Sequence, residues 1–354
     1  MTSENVFSHA WLGGLFADAE TAELLSAEQQ LDHMRAVEIA YSQALGRTGS
    51  VEPALADAAV KAIKAATIKL PELRHGTGQD GVVVPEFVRA LWEQSDKNLK
   101  PAIHTGMTSQ DVVDTALVLS LSGIVNLFKS RLTGIISALD ELNQQHGGNP
   151  LMGRTRMQAA LPIKVSDRLR TWTDPLLTHS ERLTQIEPRL LNLQLGGAVG
   201  NGVGLKGDPK ALAADMAKTL GIGNPPNSWH TTRVSIAEFA GWLSLVTGSL
   251  GKMGQDIALM SQQRLDEVSL SKGGTSSSMA HKNNPVLAEL LVTLGRYNAT
   301  QLAGIHQSLI HEQERSGSAW ALEWMILPQM IMTTGRSLTA AKSLCEQITR
   351  LGDP

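Results

Sequence analysis

Three short segments concentrate side chains that can bind anions or move protons. The densest is KGGTSSSMAHKNNP at 272–285. A glycine pair leads into Ser276, Ser277 and Ser278, and then His281, Lys282 and Asn284 precede Pro285, a residue suited to a helix start. The hydroxyls can give or take a proton. Lys282 and Asn284 can stabilise charge gathering on a carboxylate. The glycine pair supplies hinge freedom, so the segment reads as a lid; a plain polar linker fits the same composition. The second segment, GRTRMQAALP at 153–162, holds Arg154, Thr155, Arg156 and Gln158. Two guanidiniums beside hydroxyl and amide donors suit carboxylate recognition, although a solvated surface turn fits as well. In the third, IHTGMTSQDVVDTA at 103–116, Thr108 or Ser109 can cap a helix beginning near Gln110. The free N–H groups and the helix dipole there make an anion site, or a simple capped helix.

Two other patterns fail on inspection. Gly202, Gly204 and Gly207 match a dinucleotide loop, but no strand precedes them and no acid stands at the required distance. Asp208-Pro209 reads as an N-cap and first-turn proline instead. His306, His311, Glu312 and Glu314 share a helical stretch, yet Arg315 stands where a His-Glu-x-x-His zinc motif needs its second histidine. No metal, nucleotide or flavin cofactor is implied.

These segments need a scaffold. The 354 residues suggest about two domains. With 42% apolar and 18% charged residues, the chain can build a large core. A net charge of −3 does not favour a bulk nucleic-acid binder. The one cysteine, Cys345, excludes a disulfide framework. No secretory leader is evident, and the longest apolar candidate span, Phe239 to Leu250, is broken by Gly241, Ser244, Thr247, Gly248 and Ser249. The expectation is a cytoplasmic protein with neither membrane nor nucleic acid as partner.

Apolar residues recur at helical spacing. Ile236, Phe239, Leu243, Val246, Leu250, Met253, Ile257 and Met260 form an unbroken heptad seam. A second seam runs from Leu117 through Phe128 to Leu142. A third runs from Leu169 through Trp172 and His179 to Leu193, with Pro175 and Pro188 expected to kink it. A fourth starts after Pro285, and a fifth covers about 322–348. Long amphipathic helices in series predict an all-α fold with a long-helix bundle over 106–354 that carries the loop 272–285. Residues 1–105 read as a small N-terminal helical domain, with helices near 28–47 and 52–69 and a polar, Gly-rich stretch at 74–81. Val82 to Val84 is the one candidate strand.

Taken together, the three segments resemble the signatures of the aspartase/fumarase superfamily. Its third signature reads approximately Gly-Ser-Ser-x-Met-Pro-x-Lys-x-Asn-Pro, and Ser276, Ser277, Met279, Lys282, Asn284 and Pro285 match it. LQLGGAVG (193–200), SWHTTR (228–233), EFAGWLSLVTGSLGKMGQDIAL (238–259) and HEQERS (311–316) are similar to its branch of lactonising cycloisomerases, which act on 3-carboxy-cis,cis-muconate in the protocatechuate branch of the β-ketoadipate pathway. The resemblance implies homotetramers whose sites combine segments of different subunits. It implies Ser276 as the proton-transfer residue, with Lys282 and Asn284 on the carboxylate where charge accumulates. Thr108, Ser109, Arg154, Thr155, Arg156, Gln158, Ser277 and His281 would bind substrate. The chain departs from the pattern at Thr275, Ala280 and Asn283, and Arg156 stands where the lyases carry histidine. It stops soon after the fifth bundle helix, so a full C-terminal domain is expected to be absent.

Arg156 favours the cycloisomerase over a lyase. A departing hydroxide or amine needs a general acid, whereas a departing carboxylate, the conjugate base of an acid that ionises near pH ~4, does not. An adenylosuccinate-type lyase would use a histidine such as His104 or His75, and a purely structural helical protein would not need Ser276, Lys282 and Asn284. A tricarboxylate substrate needs a local cationic cluster, for which Arg233 and Arg315 are further candidates, with structural ion pairing as the other reading. One expectation needs no family. A helix from Thr108 to about residue 145 spans roughly 54 Å, so the first and second segments serve one substrate only if different subunits supply them.

Overall fold

The apolar seams become long helices, and the short segments close their ends. In the computed structural model, which describes residues 5–279 and 281–353, the chain opens with α1 (Gly13–Phe16) and α2 (Ala19–Leu24), a strap across the later helices. Then come α3 (Ala27–Arg47), α4 (Pro53–Ala65), α5 (Leu70–Asp80), α6 (Val84–Glu93) and a 3-10 turn at Lys97–Ala102. α7 (Ser109–His146) leads into the antiparallel hairpin β1 (Pro150–Thr155) and β2 (Gln158–Lys164). α8 (Val165–Leu190), α9 (Pro209–Leu220) and α10 (Val234–Met260) follow. Next are β3 (Val268–Leu270), α11 (Val286–Gln307), α12 (Ser318–Gln347) and β4 (Ile348–Leu351), which pairs antiparallel with β3.

α7, α8, α10, α11 and α12 share one apolar core. All eight residues of the α10 seam are 2% exposed or less. The α8 seam is buried along its whole length, and α8 is one helix through both Pro175 and Pro188. His179 within it is pushed down to about 4 by burial and by Arg182, so its ring is neutral and meets the Ser249 hydroxyl at 2.9 Å. α7 and α10 are long and apolar enough by composition to cross a membrane, but their apolar faces form this core. A second core joins α3, α4, α5 and α6 to the first turns of α7, and draws in Leu193, Leu205 and α9 from much later in the chain.

One local expectation, the strand at 82–84, is overturned, and one helix and the strands were not foreseen. The polar stretch 74–81 lies mostly in α5, where Leu73 and Gly76 are buried and Gly76 packs against Glu86. Val84 opens α6 instead of ending a strand, because Pro85 fits the first turn of a helix. The strands lie elsewhere. Most of β2 faces solvent, so it lacks the buried alternation that marks a strand in sequence.

α10 and α11 approach closely at Gly254, where a Cβ would sit 2.5 Å from the Ala288 carbonyl oxygen. Gly254→Leu is expected to lower unfolding stability by about 3 kcal/mol through overpacking. Gly134→Ala, in the interior of α7 with only the Lys342 stem nearby, should raise it by about 0.5–1 kcal/mol. Urea unfolding of the two variants checks the opposite signs.

Candidate active site

The first signature is fixed by one turn of α3 and by the start of α7. The Tyr41 hydroxyl donates to the Thr105 carbonyl at 2.5 Å, and Ser42 Oγ donates to the Ala102 carbonyl at 2.6 Å. Glu38 meets His104 Nδ1 at 2.6 Å. Thr108 is the N-cap of α7, and its N–H donates to the Asp111 carboxylate at 3.0 Å. Fully buried Asp111 also accepts from the Gly196 N–H at 2.8 Å, the Gly197 N–H at 3.0 Å and His230 Nε2 at 2.9 Å. The LQLGGAVG and SWHTTR segments are thereby drawn onto the head of α7. One turn further on, Arg233 donates to Asp114 at 2.6 and 3.1 Å and to Glu323 at 3.0 and 2.5 Å. Trp320 Nε1 donates to Asp114 at 3.1 Å, and the guanidinium lies 4.7 Å from the Trp229 ring centroid. Arg233 is 1% exposed, so of its two readings the structural ion pair holds. Arg315 donates to the Ala198 carbonyl at 2.9 Å. Burial and the nearby Arg233 charge push His311 down, which leaves its ring neutral. Thr108 and Ser109 remain half-buried at the rim.

The second signature is the β1–β2 hairpin at the far end of α7. Arg156 and Met157 form its two-residue turn, both in the left-handed region at φ 49° and 66°. Such a turn favours Asn-Gly; a bulky pair there is strained, and strain of this kind collects at functional sites. Thr155, Arg156 and Gln158 are exposed at the tip. Arg154 instead turns back to Glu267, 3.0 Å away.

The third signature stands at the same end. Glu267 immediately precedes β3, and β3 runs into the loop 272–285, whose neck is closed by Gly274 and Asn284 exchanging backbone hydrogen bonds of 2.8 and 3.0 Å. Neither Gly273 nor Gly274 has positive φ; a Cβ at Gly273 would meet the Asn284 carbonyl at 2.7 Å, so the pair permits close approach at the neck. Ser276 Oγ accepts from the N–H groups of Ser278 at 3.3 Å and Met279 at 3.2 Å. Ser277, His281 and Lys282 are exposed, and Asn284 is half-buried. Ala280, one of the departures from the signature, lies outside the described residues.

The chain therefore brings the second and third signatures to one end and leaves the first at the other. α7 has 38 residues, which spans about 57 Å. A mostly apolar cavity of about 710 Å³ lies between α3, α5, α7 and α12 and meets the signature segments only at Val113 and Ala116 of the first. A cavity of about 280 Å³ sits under the loop neck against Leu344 and Gln347. Among the described residues no three His, Cys, Asp or Glu side chains are placed to hold a metal ion.

Sequence reasoning missed the buried acids. The signal that could have found Asp111 is its place as the third helical residue after a threonine N-cap. Glu38 and Glu323 stand on core stripes, with Met34, Tyr41 and Leu45 around one and Trp320, Leu327 and Met330 around the other. A charge on such a stripe announces a buried partner.

The profile of the lyase family matches residues 20–300. A 3-carboxy-cis,cis-muconate cycloisomerase of Pseudomonas aeruginosa is 34% identical over 338 residues, covering 94% of this chain and 73% of that protein. One from Acinetobacter baylyi is 32% identical over 332 residues, covering 92% and 74%. The crystal structure of the 3-carboxy-cis,cis-muconate lactonizing enzyme from Pseudomonas putida superposes with a TM-score of 0.90 at 31% identity, over 97% of this chain and 77% of that one. Arg233→Met is expected to lose about 3–5 kcal/mol, because Asp114 and Glu323 stay buried without their cation. Adding Asp114→Asn and Glu323→Gln should restore most of that loss, as read by guanidinium unfolding.

Proposed function

This chain belongs to the lyase family, and from that premise we propose that it is a cycloisomerase closing 3-carboxy-cis,cis-muconate to the carboxymuconolactone, in the protocatechuate branch of the β-ketoadipate pathway. The observation that carries the choice of reaction is Arg156 on its strained turn. A guanidinium there holds a carboxylate but cannot act as an acid. In the lactonising direction a substrate carboxylate oxygen forms a C–O bond to one alkene carbon. The electron pair moves onto the neighbouring carbon beside a second carboxylate, and that carbon then takes a proton. One negative charge is lost, so one proton enters from solvent per turnover. In reverse the leaving group is a carboxylate, which departs unprotonated.

Ser276 delivers the proton on this reading. A free serine hydroxyl is a weak acid. Two backbone N–H groups aimed at its Oγ favour the serinate left after transfer. Lys282, His281 and Asn284 lie on the same loop to meet the charged substrate. Thr108, Ser109, Arg156 and Gln158 bind the carboxylates. Arg154 is assigned to positioning the hairpin through Glu267.

The assembly is a homotetramer with shared sites. Support comes from the length of α7, and from apolar side chains turned outward. Met157 and Leu161 of the hairpin are each 73% exposed, and Leu177 of α8 and Leu245 of α10 are exposed too. A cytoplasmic setting belongs to the same reading, supported by a single, buried cysteine thiol.

Loss of diene absorbance on adding 3-carboxy-cis,cis-muconate, without added metal, tests the activity. Ser276→Ala should reduce kcat by about 10²–10⁴-fold. Turnover of adenylosuccinate in place of the muconate would overturn the assignment. A separate prediction concerns the shared site. Inactive Thr108→Ala and Ser276→Ala proteins, unfolded and refolded together, should regain activity that neither recovers alone. A fully active monomer by size exclusion would refute it.

A further inference from the structure

One buried acid in the N-terminal layer takes no part in the chemistry above. Glu38 is fully buried on the core stripe of α3. Its Oε1 meets His104 Nδ1 at 2.6 Å, and its Oε2 has no partner among the described residues. Together with Tyr41 and Ser42, it lets one turn of α3 grip positions 102, 104 and 105. His104 itself has φ 61°, a left-handed conformation unfavourable by about 1–2 kcal/mol for a residue with a Cβ. Strain of this kind persists where the surroundings over-determine it. With Nδ1 committed inward, Nε2 is the polar edge left toward solvent, four positions before Thr108.

We propose that Glu38 is a positioning residue: it fixes the His104 ring so that Nε2 points outward as a donor to a substrate carboxylate beside Thr108 and Ser109. The proposal rests on the reading of the first signature as part of the carboxymuconate site. The groups acting on the ring are Glu38 from α3 and Asp111 from α7, with Tyr41 on the same turn of α3 bound to the Thr105 carbonyl. Lys206 borders Tyr41 with its backbone, and Lys100 holds its ammonium 5.0 Å from the centroid of the Trp92 ring. Burial alone would push the imidazole down. The carboxylates of Glu38 and Asp111 outweigh it, and the net direction is up. His104 thus keeps its second proton above the usual histidine range. Removing the Glu38 charge leaves burial unopposed, and that proton is lost at lower pH.

Glu38→Gln keeps the shape and a hydrogen-bonding group but not the charge. The His104 ring, followed by NMR, should titrate at lower pH in this variant than in the wild type. The KM for 3-carboxy-cis,cis-muconate should diverge from wild type as pH rises, by roughly tenfold where the variant's ring has lost the proton that the wild type keeps, the worth of one charge-assisted hydrogen bond. By contrast kcat should stay within about threefold. Combining Glu38→Gln with His104→Asn should add nothing to the loss from His104→Asn alone. A KM penalty that is flat with pH, or losses that multiply in the double variant, would show Glu38 to be merely structural and overturn the proposal. If the wild type fails to turn over the muconate, the assigned reaction fails. The proposal is then judged by whether that tricarboxylate, added as a ligand, shifts the His104 ring resonances in wild type and less so in Glu38→Gln; no shift in the wild type overturns it.

Discussion

The head of the bundle depends on one buried guanidinium. Arg233 joins α10 to α7 through Asp114 and to α12 through Glu323, while Trp229 covers its face and Trp320 completes the Asp114 shell. A charge with 1% exposure is tolerable only when every one of these partners is in place. The arrangement therefore admits a single geometry, and it sets the angle at which three long helices meet. Burial pushes the Glu323 carboxyl up even though Arg233 opposes it, which marks how dry the knot is. Asp111 stands one turn above and uses both oxygens to gather the Gly196–Gly197 backbone and His230. The first signature rests on this stack, so its place is set by electrostatics more than by the loop that carries it.

From that fixed head α7 runs as a continuous rod to the hairpin. A rod of about 57 Å cannot bend its ends together. On the proposed reading, a substrate the size of a tricarboxylate touches both ends only where one subunit lays its base against the head of another. The distribution of order agrees with this division of labour. The head is built from buried acids held by hydrogen bonds and ion pairs, whereas the base carries a strained hairpin tip and a loop closed by two backbone hydrogen bonds.

The long helices were legible in sequence because burial repeats with the helical period. The α10 seam kept that period for 25 residues, and each member is buried. The strands were not legible. β2 places Gln158, Ala159, Ala160, Leu161 and Pro162 in solvent, so no face of it shows the alternation that a half-buried strand imposes. α5 was hidden by its glycines, one of which, Gly76, exists to let Glu86 pass. The signature segments were visible by composition, but their partners were not. That Arg154 points to Glu267, or His104 to Glu38, depends on contacts 113 and 66 residues apart, and no local pattern encodes them.

The chain carries a net charge of −3, and the proposed substrate is itself a polyanion. Attraction must then come from where the charges lie. The acids nearest the signatures are spent inward: Asp111 on backbone N–H groups and His230, Asp114 and Glu323 on Arg233, and Glu267 on Arg154. The cations of the hairpin tip and the loop, Arg156 and Lys282, are exposed and bridge to no acid among the described residues. Field falls off within about a Debye length, some 8–10 Å at physiological salt, so a ligand at the base end feels these cations more than the distant bulk of negative surface. Burying and pairing acids while leaving cations free gives a net-negative protein a positive working surface. Arg156, exposed on its strained turn, belongs to that surface and forms no salt bridge among the described residues.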